Sequence, residues 1–241
     1  MKIEHDIHVH TYLSVCGKDS ATIEAYVCSA KKLGIKKIGI ADHMWDLKIP
    51  FTDSMRNSLN AGDGEVILNW YRVQGIEHCR KILKDIEEID TEGIEFLFGG
   101  EVDYCPGLGA AITVEEAEKL DFMVVPNSHT HHLMDKSLYE PYHKHAEFML
   151  RATMDICTSE TAPYVTSLAH PFEAVCCPYP VEYLIDAISD RQFKEVFCAA
   201  KENNIAAEIN TSCFTSCKTI EELRNHYMIR VLSIAKDCDC T

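Results

Sequence analysis

Ile7-His8-Val9-His10-Thr11 lies near the start of a 241-residue chain and sets two histidines two residues apart on an apolar, extended segment. Residues i and i+2 of a strand point to the same face. Both imidazoles then reach one small volume, which is how a short segment supplies two ligands to one cation. A surface strand with two incidental histidines is spelled the same way. The pair gains meaning only if later segments send matching ligands to the same place.

Length and composition bound what those segments can be. The 241 residues suit a single domain, 1–241, of the larger α/β kind, and with 46% hydrophobic and 9% aromatic residues the chain can bury a sizeable core. The net charge of −15 argues against a nucleic-acid partner, which needs a basic face. An acidic protein that handles phosphates needs bound cations to attract them. No apolar run reaches the ~18 residues that span a bilayer, so no membrane partner is expected. Met1-Lys2-Ile3-Glu4-His5-Asp6 is too charged for an export signal, and a cytoplasmic location is expected. The twelve cysteines include no Cys-x-x-Cys pair, so a structural zinc finger is unsupported. Free thiols, mostly small buried apolar residues, are the expectation, with Cys16 set apart.

Reading outward from the first strand, about Ile3 to Val9, a unit recurs: apolar run, polar loop, amphipathic helix. A helix over Thr22 to Leu33 has Ser20 or Thr22 as N-cap and Gly34 as its stop. The run 37–41 is a buried strand ending at Asp42-His43; 44–64 reads as a long loop; 65–89 reads as one long helix. The third strand, 95–100, ends at Glu101, and Thr113-Val114-Glu115-Glu116 spells a capping box. The fourth strand, 121–125, leads into Asn127-Ser128-His129-Thr130-His131-His132, followed by a helix over 142–157. The fifth, 164–169, ends at His170-Pro171, and a helix over 181–203 has a break expected near Ser189-Asp190. The sixth, 205–209, carries Glu208 near its end, and a last helix opens at the capping box Thr219-Ile220-Glu221-Glu222 and runs to about Ala235. Alternating strands and helices predict parallel βαβ units, and six of them favour a barrel over a short doubly wound sheet. No glycine-rich nucleotide loop opens any helix.

The informative fact is where the possible ligands fall. His8 and His10, His43, Glu101, His129 and His170 each stand at the carboxyl end of a predicted strand. In a parallel barrel those ends converge on one face, where active sites are built. Singly, each has an ordinary alternative: a capped turn, a solvated carboxylate, a loop histidine, a backbone hydrogen bond. Imidazole and carboxylate without thiolate pairs suit Zn²⁺, Mn²⁺ or Fe²⁺. Six ligands are too many for one tetrahedral zinc, so two or three divalent ions are the economical reading, with Glu101 bridging two through its two oxygens.

The ordered set His8-Val9-His10-Thr11…Ser14, Ala41-Asp42-His43, Gly100-Glu101, Asn127-Ser128-His129 and Ala169-His170-Pro171 resembles the polymerase and histidinol phosphatase (PHP) superfamily over essentially the whole chain. The resemblance implies a distorted (β/α)7 TIM-like barrel and a two- or three-metal phosphoesterase site. The likeness is greatest to stand-alone histidinol-phosphatase-type proteins of histidine biosynthesis. It makes His8, His10 and Glu101 ligands of a first metal, His43 of a second, and Glu101, His129 and His170 of a third. Where the family often has His or Asp, this chain has Cys16, which is either a zinc ligand or a packed small residue. His131 and His132 compete with His129, which comes first after its strand. The family's closing Asp-x-His on a seventh strand is not found after Glu208, so the barrel is expected to be truncated before its last strand.

The activity implied is hydrolysis of a small phosphorylated substrate, L-histidinol phosphate first, by a metal-bridged hydroxide, with Glu101 and His129 at the catalytic centre and Lys18 or Arg56 on the phosphate. The alternatives are a phosphodiesterase or exonuclease on the same metals and a metal-binding module without catalysis. Oligomeric state is left open by the residues.

Overall fold

The computed structural model describes residues 3–44, 52–61, 63–129, 141–173 and 177–240. Six parallel strands form one sheet: β1 (His5–Val9), β2 (Lys37–Ile40), β3 (Glu95–Glu101), β6 (Phe122–Pro126), β7 (Ser167–Ala169) and β8 (Ala206–Ala207), neighbours in that order. A two-residue antiparallel pair, β4 (Tyr104–Cys105) with β5 (Gly109–Ala110), is an insertion that the sequence did not predict. The sheet curls into a half-barrel with helices on its outer surface, as expected of a distorted TIM-like barrel.

The helices follow local signals. In α1 (Ile23–Leu33) the Thr22 hydroxyl accepts from the Ala25 N–H, and Gly34 closes the helix at φ 73°. The segment read as a loop contains α2 (Asp53–Asn60), and the single helix predicted over 65–89 is two, α3 (Gly64–Cys79) and α4 (Lys81–Glu88), parted at Arg80. Apolar periodicity runs through that junction, so pattern alone does not show the break. The capping box at Thr113 opens α5 (Val114–Ala117), and α6 covers Tyr142–Thr158. The expected break near Ser189 falls between α7 (Val181–Asp186) and α8 (Asp190–Glu202), where Ser189 and Gln192 form a second capping box. The last predicted helix also divides, into α9 (Ile220–Arg224) and α10 (Tyr227–Asp237), because the His226 side chain caps a new start by accepting from the Met228 N–H.

The strands alternate between two cores. Ile38, Ile40, Phe98, Met123, Val125 and Leu168 face outward onto the helices. Gly39, Ala41, Leu97, Gly99, Phe122, Val124 and Ala169 line the inside, where Phe122 is the one large ring. A Cβ on Gly99 would lie 2.4 Å from Phe122 Cζ, and one on Gly39 would lie 2.7 Å from it. The ring therefore fills the floor of the curl only because its neighbours are glycines. In β1 the pairing slips between Asp6 and Val9, so Ile7 packs inside while Val9, two residues on, packs outside. This bulge turns His8 and His10 toward the mouth.

The cysteines depart from expectation. Among the described ones only Cys79, Cys105, Cys157 and Cys240 are buried, while Cys16, Cys28 and Cys198 are exposed. All of these are free thiols.

Replacing Gly99 by Ala should destabilise the domain by about 1–3 kcal/mol through overpacking against Phe122. In G99A/F122L the penalty should fall well short of the sum of the single changes, because the two sites share one volume. Urea unfolding of the four proteins measures both effects; strict additivity would remove Phe122 as the clashing group.

Candidate metal centre

The carboxyl ends of β1, β2, β3, β6 and β7 meet at one mouth, and Glu101, only 1% exposed, lies at its centre. Its two oxygens face different groups of rings. Oε2 is 3.3 Å from His8 Nε2, 3.3 Å from His10 Nε2 and 3.4 Å from His43 Nδ1. Oε1 is 3.3 Å from His129 Nε2 and 2.9 Å from His170 Nε2. All five predicted histidines therefore reach the one predicted carboxylate.

The backbone around the mouth is held as firmly as the rings. Asp42, fully buried, accepts the N–H and the hydroxyl of Thr11, each at 2.5 Å, which ties the loop after β1 to the end of β2. An isolated parallel bridge joins His43 to Glu101. His170 and Phe172 have φ of 29° and 64°. Such left-handed geometry in non-glycine residues costs of order 1–3 kcal/mol. It is offset by the His170 N–H donating to Glu208 at 2.5 Å and the Phe172 N–H donating to Asn127 at 2.9 Å.

In four of the rings the second nitrogen has a partner of its own. His8 Nδ1 is 2.9 Å from Glu208, His129 Nδ1 is 2.9 Å from Asp103, His170 Nδ1 is 2.6 Å from the Ser128 hydroxyl and His10 Nδ1 is 3.3 Å from the Ser14 hydroxyl. Such partners fix the tautomer of metal-binding imidazoles and raise their basicity. Asp103, Glu208, Ser128 and Ser14 were not predicted as site residues. Glu208 and Asp103 stand at strand ends like the ligands, and Asp103 follows Glu101 at the strand period of two. The period of two could have found Asp103, and the strand-end position could have marked Glu208, though not its contact with His8.

Electrostatics follow from the packing. Burial pushes His8 down, yet the carboxylates of Glu101 and Glu208 outweigh it and raise its pKa to about 10. His10 is raised against burial to about 9 by Cys16 and Glu101, and His129 is raised in the same way by Asp103 and Glu101. Glu101 is held well below the ordinary carboxylate range, since its imidazole neighbours overcome a large desolvation cost. Burial pushes the Cys16 thiol up, but hydrogen bonds with His10, His43 and Ser14 bring it down to about 5.

The donor set fits divalent cations. Two donors each about 2.1 Å from one tetrahedral ion lie about 3.4 Å apart. The spacing of Glu101 from His8, His10, His43 and His129, 3.3–3.4 Å, matches that and exceeds the length of a good charge-assisted hydrogen bond. Among the described residues, four groups of three possible ligand atoms each gather within 4.8 Å: His8, His10 and Glu101; Glu101, His129 and His170; His43, Asp103 and His129; and His10, Cys16 and His43.

Residues 6–212 match the PHP domain. The chain belongs to the PHP domain family. PHP domains are generally hydrolytic and metal-dependent, in keeping with these ligand groups. No individual curated protein matches the sequence. No described helix of this PHP domain is long and apolar enough to cross a membrane. Of the remaining predicted residues, Lys18 is exposed in the loop that carries Cys16, while the Arg56 side chain, His131 and His132 lie outside the described residues.

In the chelated protein, the raised pKa values of His8 and His10 stabilise the fold fully below about pH 6.5, the unfolded value. That stability is lost as pH climbs through about 9 and 10, where the folded protein releases the same protons. The melting temperature with EDTA should therefore fall between pH 6.5 and 10 more steeply than with bound cations. Glu208→Gln should flatten this slope and weaken cation affinity about 10–100-fold, measured by calorimetric titration. An unchanged slope would separate Glu208 from His8.

Proposed function

We propose that this PHP domain is a phosphatase, hydrolysing a small phosphomonoester with the aid of two or three divalent cations, zinc, manganese or iron. The observation that carries the reading is the buried Glu101 carboxylate with a separate set of imidazoles on each oxygen. Glu101, His8 and His10 would hold one cation on the Oε2 side, and Glu101, His129 and His170 another on the Oε1 side. His43 would serve a third. Bound divalent cations lower the pKa of water and offset charge on phosphoryl oxygens.

The chain's own residues prepare that chemistry. Asp103 and Glu208 orient His129 and His8 so that each aims Nε2 at Glu101. Buried Phe122, Val124 and Ala169 line the inside of the curl below the mouth, and Glu101 itself is only 1% exposed, so its charge acts in a water-poor setting. Lys18 is assigned to the outer phosphate oxygens, from a loop on the open side of the mouth. L-histidinol phosphate is the first substrate proposed, on the likeness to stand-alone histidinol-phosphatase-type chains. The exposed free thiols suit a cytoplasmic setting.

The purified chain with Mn²⁺ or Zn²⁺ should release phosphate from a panel of phosphomonoesters that includes L-histidinol phosphate. EDTA should abolish the release, and added metal should restore it. Glu101→Gln should lower kcat/KM about 10³-fold, equivalent to several kcal/mol of lost stabilisation. Cleavage of a dinucleotide in place of monoesters would make it a phosphodiesterase, and metal binding without turnover would make it a non-catalytic module.

A further inference from the structure

The outer helices α8 and α10 run parallel, and two contacts between them keep the same offset of 40 residues. Near the start of both, the Arg230 guanidinium donates to Asp190 at 2.7 and 2.9 Å and to the Ile185 and Ile188 carbonyls at 2.9 and 2.7 Å. Near the end of both, the sulfurs of Cys198 and Cys238 lie 3.7 Å apart. We propose that Cys198 and Cys238 form a redox-active pair, at which a disulfide oxidant closes a reversible bridge that braces β8. The proposal does not depend on the phosphatase reading.

Three observations build the site. First, the approach of the sulfurs is set by the fold. Roughly two turns, about 12 Å, separate the arginine clamp from the cysteine on each helix, so the clamp that fixes their register also brings the sulfurs level. Second, the pair is accessible. Cys198 is exposed and Cys238 half-buried, whereas Cys240 is buried, its thiol donating to the Ile205 carbonyl at 3.1 Å. Third, the chain beyond α10 hooks back onto the sheet. Asp239 turns it at φ 55°, the Cys240 N–H donates to the Ala235 carbonyl at 3.0 Å, and the Cys240 carbonyl accepts the Ala207 N–H at 3.3 Å. Ala207 ends β8, and Glu208, which holds His8 and the His170 N–H, follows it directly. A bridge at Cys238 therefore anchors the segment that lies against the outermost strand.

The sulfurs are in van der Waals contact, and side-chain rotation brings them to the bonding distance of about 2.05 Å. Burial and the neighbouring Cys198 push the Cys238 thiol up to about 11, so the exposed Cys198 is the first attacker. With glutathione disulfide as oxidant, the Cys198 thiolate attacks one of its sulfurs, forming a mixed disulfide and releasing one glutathione thiolate. The Cys238 thiolate then attacks the Cys198 sulfur, forming the bridge and releasing the second. The two cysteine protons pass to the released thiolates, and the two electrons lost by the cysteine sulfurs reduce the oxidant to two thiols. In a compartment rich in reduced thiols such a bridge is transient, as a redox sensor requires.

The intact chain, reduced with a phosphine, freed of it and then treated with glutathione disulfide while folded, tests the proposal. Peptide mapping by mass spectrometry without reductant should find Cys198 joined to Cys238. The melting temperature should rise about 5–10 °C over the reduced protein. The backbone amides from Ala206 to Glu208 should exchange at least about 10-fold more slowly. Cys198→Ser and Cys238→Ser should each lose the link and both shifts, while Cys28→Ser, which removes an exposed thiol on α1, should keep all three. The wild-type comparison of oxidised with reduced protein stands even where a variant folds poorly. Lasting glutathione adducts on Cys198 without a cross-link, or a link that joins other cysteines instead, would overturn the pair. A Cys198–Cys238 link that leaves melting and amide exchange unchanged would overturn its role as a brace.

Discussion

An ionised carboxylate with 1% of its surface exposed is the constraint on which the rest of this molecule turns. Taking such a charge out of water costs several kcal/mol unless opposite charge or strong hydrogen bonds replace the lost solvation. Glu101 receives five imidazole nitrogens, which compensate it either as protonated rings or as fellow ligands of cations. Its position is set by β3, whose inward residues Leu97, Gly99 and Glu101 pass from apolar through empty to charged. Gly99 makes room for Phe122, its register partner on β6, one inward position before the carboxylate. Fold and site are thus joined by one strand's period of two.

Acidic residues outside the central group give the mouth its electrical character. Asp103 and Glu208 join Glu101 within hydrogen-bond reach of the clustered rings, so three carboxylates are in place to oppose the charge of any divalent cations held there. Cations held there would offset this negative charge locally in a protein whose net charge is −15. On the proposed phosphatase reading, such local neutralisation would admit a phosphate without a basic surface.

The parts legible in the sequence were those written in local code. Strand ends carrying His8, His10, His43, Glu101, His129 and His170 were readable because a parallel barrel sends all such ends to one face. The capping boxes at Thr113 and Thr219 were readable because two side chains three residues apart satisfy each other's backbone. What escaped depends on tertiary context. The break at Arg80 interrupts an unbroken apolar period, and α2 lies in a stretch whose polar composition reads as loop. Glu208 meets His8 across 200 positions of sequence, and no local pattern records that distance. His43 offers Nδ1 to Glu101 where the other four rings offer Nε2, a choice made by the short reach from the end of β2.

Glu208 also explains how an open sheet keeps a closed site. β1 and β8 are the outermost strands of the sheet and do not pair with each other among the described residues. Their carboxyl ends are nevertheless joined, because Glu208, just past β8, bonds His8 of β1 through Oε1 and the His170 N–H through Oε2. A proton on His8 Nδ1 serves this contact whether the other nitrogen holds a second proton or a cation. Proton and cation are therefore interchangeable on Nε2 without moving the ring. The ring clusters that could hold a cation are preformed by carboxylates behind them, and a cation entering the mouth would displace protons from rings already aimed at it, with little rearrangement of the chain.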